Sequence, residues 1–410
     1  MFQALLLLAL VAGSGADDKA PDIVRLTSGK TLMGRVVRDV PDSVTIESRG
    51  GQTEIARSNV AEVRSVERNL AQFIKQYDVS AKSSPGPLLD LARFCDDCGL
   101  KNEATNLRYR VLLIDPANDA ARRGLGARTV VEKLQVPDTD GKGWIDFDTL
   151  RGPKSRWRDA LELHTAHFLL RTDLPIDKVL EATIQVERHY LRFYDFLGPE
   201  LGLYVFDQTP EICLYSKPSD YPMPWTESAK SWFAPVENKL HILANDDQFE
   251  MVKLVRDATD LLLVNALRKS SGKTGNMPPW AGCGFSEYFA STAASRPGAA
   301  WGELGVPSPA LFRRQQAASK PLELGKLLSS SISDIRRGNE AGLRSAGAYT
   351  LVHFLLHAEG GKYREPFYAY LCDAWTGKIS AQGFLKAIGL KEGELETRWN
   401  AYVHAQAANG

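Results

Sequence analysis

The sequence predicts an α+β protein in three parts: a small β-barrel, a short run of paired helices, and a larger mixed domain. Three observations predict it. Residues 22–66 alternate apolar and polar in short runs separated by turn residues. Residues 67–136 carry apolar side chains at helical spacing. Beyond residue 158 strands and helices mix, and from about Gln248 helices prevail, so helices segregate beyond a sheet.

The 410 residues give ample chain for a large core and for more than one domain. Hydrophobic residues make up 44% and charged residues 24%, the content of an ordinary globular protein. Fifty basic residues balance fifty acidic ones, which argues against nucleic acid or an anionic membrane as a partner drawn by overall charge. Residues 1–16 read as a secretory signal peptide: Leu5 to Val11 form a short apolar stretch, Ser14 and Ala16 are small, and Asp17-Asp18 opens a polar chain. That stretch is too short to span a bilayer, and no later segment is apolar for about 20 residues. The expectation is an exported protein, periplasmic, extracellular or associated with the cell surface, with no integral membrane segment once the signal is removed. Five cysteines (Cys95, Cys98, Cys213, Cys283 and Cys372) are too few for a disulfide scaffold and odd in number.

In the first part, residues 20–66, Ile23 to Leu26 leads into the turn Thr27-Ser28-Gly29-Lys30. Leu32 to Val37, Ser43 to Ile46, Thr53 to Ile55 and Val60 to Val63 follow. The pattern resembles the small Src-homology-type barrels found at the front of many exported bacterial proteins, and implies a stability or docking module without catalytic residues. In the second part, residues 67–136, Pro85-Gly86-Pro87 opens a helix with Leu88, Leu91, Cys95 and Cys98 on one face and Gly99 placed to end it. A second helix is expected from about Asn102 to Ile114, stopped by Asp115-Pro116, and a third over Asp119 to Leu125. This resembles a tetratricopeptide-like helical pair, which cannot bury both faces alone and needs a neighbour. Residues 137–157 read as a linker ending in Pro153 to Arg158.

In the third part, residues 158–404, strands are expected at His167 to Arg171, Leu201 to Phe206, Ile212 to Tyr215 and Lys239 to Leu243, with a long helix from about Ile176 to Leu197. Its most informative stretch is Arg256-Asp257-Ala258-Thr259-Asp260 with the apolar Leu261-Leu262-Leu263. Pro278-Pro279-Trp280 and then Cys283-Gly284-Phe285-Ser286-Glu287-Tyr288-Phe289 come after it. Histidines at 256 and 260 with glutamates at 257 and 283 would make the zinc site of a gluzincin peptidase, two imidazoles one turn apart on a helix and a third ligand from the next helix. From about residue 160 to 404 the chain resembles exported bacterial gluzincin-like proteins of the peptidase MA type, a likeness that includes Tyr349 to Leu356 and Phe384 to Gly389 followed by Trp399.

The resemblance implies a zincin fold with its chemistry replaced. Arg256 and Asp260 stand at the two histidine positions, Cys283 at the third-ligand position, Asp257 at the general base, and Glu287 where some gluzincins keep an acid that orients a ligand. A guanidinium has no lone pair and repels a dication. An ion pair between Arg256 and Asp260, standing where the metal stood, is the expected use of the arginine. Cys283 is expected to be a buried, inert thiol rather than a nucleophile.

Other constellations are weaker. His353 and His357 share a helix face, yet lack the intervening glutamate of a zincin motif. Cys95 and Cys98 have redox spacing at a helix end, not a helix start. Asp138 to Asp146 resembles a calcium loop but has Lys142 at a ligand position and Thr149 where a bidentate glutamate belongs. Ser271-Gly272-Lys273-Thr274 echoes a phosphate loop without its first glycine. The functional expectation is an inactive peptidase homologue without a cofactor, binding an unidentified protein or peptide. The alternative is a zinc-dependent hydrolase that keeps metal through Asp260, Cys283 and a further residue.

Overall fold

The computed structural model describes residues 22–48, 51–139, 143–201, 203, 208–222, 231–244, 251–266, 277–294, 300–318, 321–337, 340–374 and 380–408. The architecture is α+β, and the chain divides into two compact units, one running to Ser65 and one beginning at Val66. The signal peptide expected over residues 1–16 lies outside the described residues, as does the phosphate-loop echo at 271–274.

The first unit is an antiparallel sheet of β1 (Asp22–Leu26), β2 (Thr31–Asp39), β3 (Ser43–Ser48), β4 (Gly51–Ala56) and β5 (Val60–Arg64), in the order β4-β3-β2-β1-β5. The last strand returns to pair with the first, as a small barrel requires, and among the described residues no ladder joins β4 to β5. Val24, Val44, Ile46 and Ile55 form its core. The β2–β3 register shifts between Val36 and Arg38, a bulge that lets the long β2 bend around this core. Gly34 is required by close packing: a Cβ there would lie 2.1 Å from the Glu47 carbonyl oxygen.

The second unit opens with α1 (Val66–Val79), α2 (Pro85–Asp97), α3 (Lys101–Ile114) and α4 (Asp119–Leu125). Proline pre-sets the first turn of α2, and Gly99, at φ +85°, lets the Leu100 amide bond back to the Cys95 carbonyl at 2.8 Å. Asn118 caps α4 by accepting from the Ala121 amide at 3.0 Å.

The expected helical run to residue 136 and linker over 137–157 are corrected here. Strands β6 (Arg128–Val130), β7 (Lys133–Pro137) and β8 (Trp144–Asp146) form an antiparallel sheet, and α5 (Phe147–Arg151) follows with Phe147 and Leu150 buried. The helical part and the linker therefore belong to the same compact unit as the larger domain.

The main sheet comprises β9 (Leu161–His164), β10 (Leu169–Thr172), β11 (Glu211–Tyr215), β12 (Ser231–Ala234) and β13 (Lys239–Leu243), in the order β12-β13-β11-β10-β9. β10, β11 and β13 are parallel, and the edges β9 and β12 antiparallel. The crossover from β10 to β11 contains α6 (Ile176–Leu201), whose apolar stripe is buried along its length. Leu201, expected to begin a strand, instead ends this helix; residues 202 and 204–207 lie outside the described residues.

Nine helices complete the described chain: α7 (Met251–Ala266), α8 (Pro279–Ala290), α9 (Pro309–Gln316), α10 (Leu324–Leu328), α11 (Ile332–Arg336), α12 (Ala341–His357), α13 (Arg364–Ala374), α14 (Ala381–Ile388) and α15 (Glu392–Ala408). α12 is buried continuously from Ala346 to Leu356, which makes it the central post of this half. At Gly284 in α8 an added Cβ would lie 2.5 Å from the Ala348 carbonyl oxygen, so glycine sets the close crossing of α8 and α12. No helix among the described residues is long and apolar enough to cross a membrane.

Candidate functional site

The residues singled out by sequence lie on α7 and α8, which pack against each other, with α11 and the start of α12 alongside. The buried face of α7 includes Asp257, Ala258 and Leu261, so one carboxylate is carried into the interior by its helical position. α11 is only five residues long but is fixed by a capping box, in which Ser331 and Asp334 satisfy each other's backbone amides. Its last residue is Arg336.

Arg336 organises the site. Its Nη2 donates to Asp260 Oδ1 at 2.8 Å and its Nη1 to Asp260 Oδ2, a bidentate fork. Ser286 Oγ donates to the same Oδ1 at 2.6 Å. The guanidinium also faces Cys283. Burial pushes that thiol up to about 11; Arg336 pulls against the shift, and the Asp260 and Glu287 charges add to it. The thiol is therefore protonated at neutral pH. Asp260 and Cys283 do converge, and a guanidinium lies with both.

Arg256 pairs elsewhere, which corrects the expected Arg256–Asp260 pair. Its Nε lies 3.4 Å from Asp257 Oδ1 and its Nη1 3.9 Å from Glu287 Oε1. The physical reason is twofold. A cation one turn N-terminal to its acid is poorly oriented, and the Arg336 fork occupies both Asp260 oxygens. Glu287 Oε1 additionally accepts from Ser345 Oγ at 2.7 Å. Arg256 is held charged: burial opposes the charge, and Asp257 and Glu287 outweigh it.

Asp257 is 3% exposed, and among the described residues its Oδ2 has no hydrogen-bond partner. The Tyr221 hydroxyl, on the loop after β11, is likewise buried without a partner, and its pKa is raised by burial and then by the Asp257 charge. An acceptor and a hydroxyl, both unsatisfied, thus stand in each other's field beside α7.

These residues do not fit zinc. Arg256 offers no lone pair, and the Arg336 fork engages both Asp260 oxygens and sets a second fixed positive charge beside Cys283. Among the described residues no group of three or more His, Cys, Asp or Glu side chains is placed to hold a metal ion.

The weaker constellations resolve as packing. His353 Nδ1 meets the Tyr402 hydroxyl at 2.8 Å and its Nε2 the Gly305 carbonyl at 3.1 Å; His357 Nε2 meets the Tyr288 hydroxyl at 2.9 Å. Burial lowers both imidazoles to about 4, so they stay neutral in the core. Cys95 and Cys98 are free thiols at the end of α2, the Cys95 thiol pushed up by burial. In the calcium-like loop residues 140–142 lie outside the described residues, Thr149 is part of α5, and the Asp146 carboxylate is engaged by Lys133 at 3.1 Å and Gln135 at 3.0 Å.

Sequence reasoning missed Arg336, Tyr221, Ser286 and Ser345. The Ser331-x-x-Asp334 capping signature announces α11, and nothing in it says which carboxylate Arg336 meets. No protein-family model matches the chain, and a search of curated proteins finds no match.

Proposed function

We propose that this chain is an exported pseudo-peptidase: a binding or scaffold protein that holds a peptide or protein segment at a degenerate metallopeptidase site. The observation that carries this reading is the Arg336 fork on Asp260 beside the protonated Cys283. It supplies a fixed positive charge among the former ligand positions and leaves no lone pair directed at a metal. Without a metal, Asp257 has no polarised water to deprotonate.

The test is incubation of a synthetic peptide pool with the full chain, scoring retained and cleaved peptides by mass spectrometry. The expected result is retention without cleavage. Cleavage abolished by a chelator would overturn the proposal in favour of a hydrolase with a rearranged metal site.

A further inference from the structure

A second charged cluster lies far along the chain from α7, where the turn between β9 and β10 meets the helical segment. The turn is gripped from three helices. From α3, Asn102 Nδ2 donates to the Thr165 carbonyl at 3.1 Å, Asn106 Nδ2 to the His164 carbonyl at 3.0 Å, and Glu103 Oε1 accepts from the Ala166 amide at 2.8 Å. From α6, Glu187 accepts the His167 amide at 2.7 Å and faces its Nδ1 at 2.7 Å. From α1, Glu67 lies 3.6 Å from His167 Nε2. The His167 ring stacks on Tyr190, with centroids 3.6 Å apart. Beside these groups is a cavity of about 10 Å³, room for about one water, whose polar lining includes Glu103, Asn106, Arg110, Thr165 and Glu187.

We infer that this junction is a proton-sensitive latch: with a proton on Glu103 the helical segment α1–α3 is held against the β9–β10 turn, and loss of that proton to solvent loosens the hold. The geometry supplies the reason. Two carboxylates, Glu103 and Glu187, share a buried site, and His167 neutralises Glu187 directly. Among the described residues Glu103 accepts from the Ala166 amide and from its own, and the cations near it are engaged elsewhere: His167 by Glu187 at 2.7 Å and Arg110, on the same helix, by Glu181 at 2.8 Å. The other titratable groups facing it are Cys95 and Cys98 at the end of α2, and Glu67 through His167. Burial and then the Glu187 charge push the Glu103 acid up to about 7. At His167 burial acts downward and is outweighed by Glu187 and Glu67, which hold it at about 9.

Both shifts act in one direction. A folded pKa above the ordinary value contributes stability that is present below the ordinary value and lost as pH rises through the raised one. For Glu103 the loss runs up to about 7 and for His167 up to about 9, so the latch is tightest in acid and weakens as pH rises.

Hydrogen–deuterium exchange of the full chain, corrected for intrinsic rates, tests this over residues 101–114 and 161–172. At least about tenfold more opening is expected at pH about 8 than at pH about 5.5. Glu103→Gln keeps an acceptor for the Ala166 amide and cannot ionise, so it should flatten that dependence. Its urea midpoint at the acid pH checks that it folds. Equal opening of the wild-type chain at both pH values overturns the latch, as does an undiminished pH dependence in a folded Glu103→Gln protein.

Discussion

The Arg336–Asp260 cluster and the His167–Glu187–Glu103 cluster both gather charges from distant parts of the chain, and they solve the problem differently. In the first, an arginine that never loses its charge forks onto one partly exposed carboxylate. In the second, the cation is an imidazole and one acid is left over, all of it buried, so protons supply the balance. The difference teaches that a buried charge set is static where the cation is permanent and one carboxylate is shared, and titratable where carboxylates outnumber a weaker cation.

The largest expected effect breaks the first cluster. Arg336→Ala leaves Asp260 with Ser286 alone and should cost about 2 kcal/mol by urea denaturation at neutral pH, below the fully buried range because both side chains are partly solvated. Replacing both Arg336 and Asp260 by leucine should cost less than Arg336→Ala, which a double-mutant cycle reads directly. Next, Glu103→Gln should raise stability at pH about 8 by about 2 kcal/mol and leave it unchanged at pH about 5, the signature of a titrating acid absent from the first cluster.

A smaller effect concerns reactivity. Cys283, its thiol held near 11, should resist alkylation at neutral pH in the folded chain and react only after denaturation, well behind the half-exposed Cys98. At the bottom of the scale, Lys326→Ala removes an exposed pair with Glu323 and should leave the urea midpoint unchanged.

Much of the scaffold was legible because its signals are local. Pro85 and Gly99 bracket α2, Asp115-Pro116 ends α3, and the alternating runs of residues 22–66 became β1 to β5. The hairpin of β6 and β7 was not legible. β6 has three residues, and its turn places Val131 and Glu132 at φ +49° and +65° without the Asn-Gly signal such turns usually carry. At the site, helical spacing and the α7–α8 succession placed Asp260 and Cys283 together. Arg336 could not be foreseen, because it comes from a five-residue helix in another part of the chain and its pairing is set by tertiary contact alone. The same holds for Glu103, whose bond from the Ala166 amide joins α3 to the β9–β10 turn.

The most direct test of the central claim is the zinc content of the purified full chain, and of Cys283→Ala, after exposure to zinc and removal of the free metal. The account predicts no stoichiometric zinc in the wild-type chain and no difference between the two proteins. Stoichiometric zinc in the wild-type chain that disappears in Cys283→Ala would contradict it.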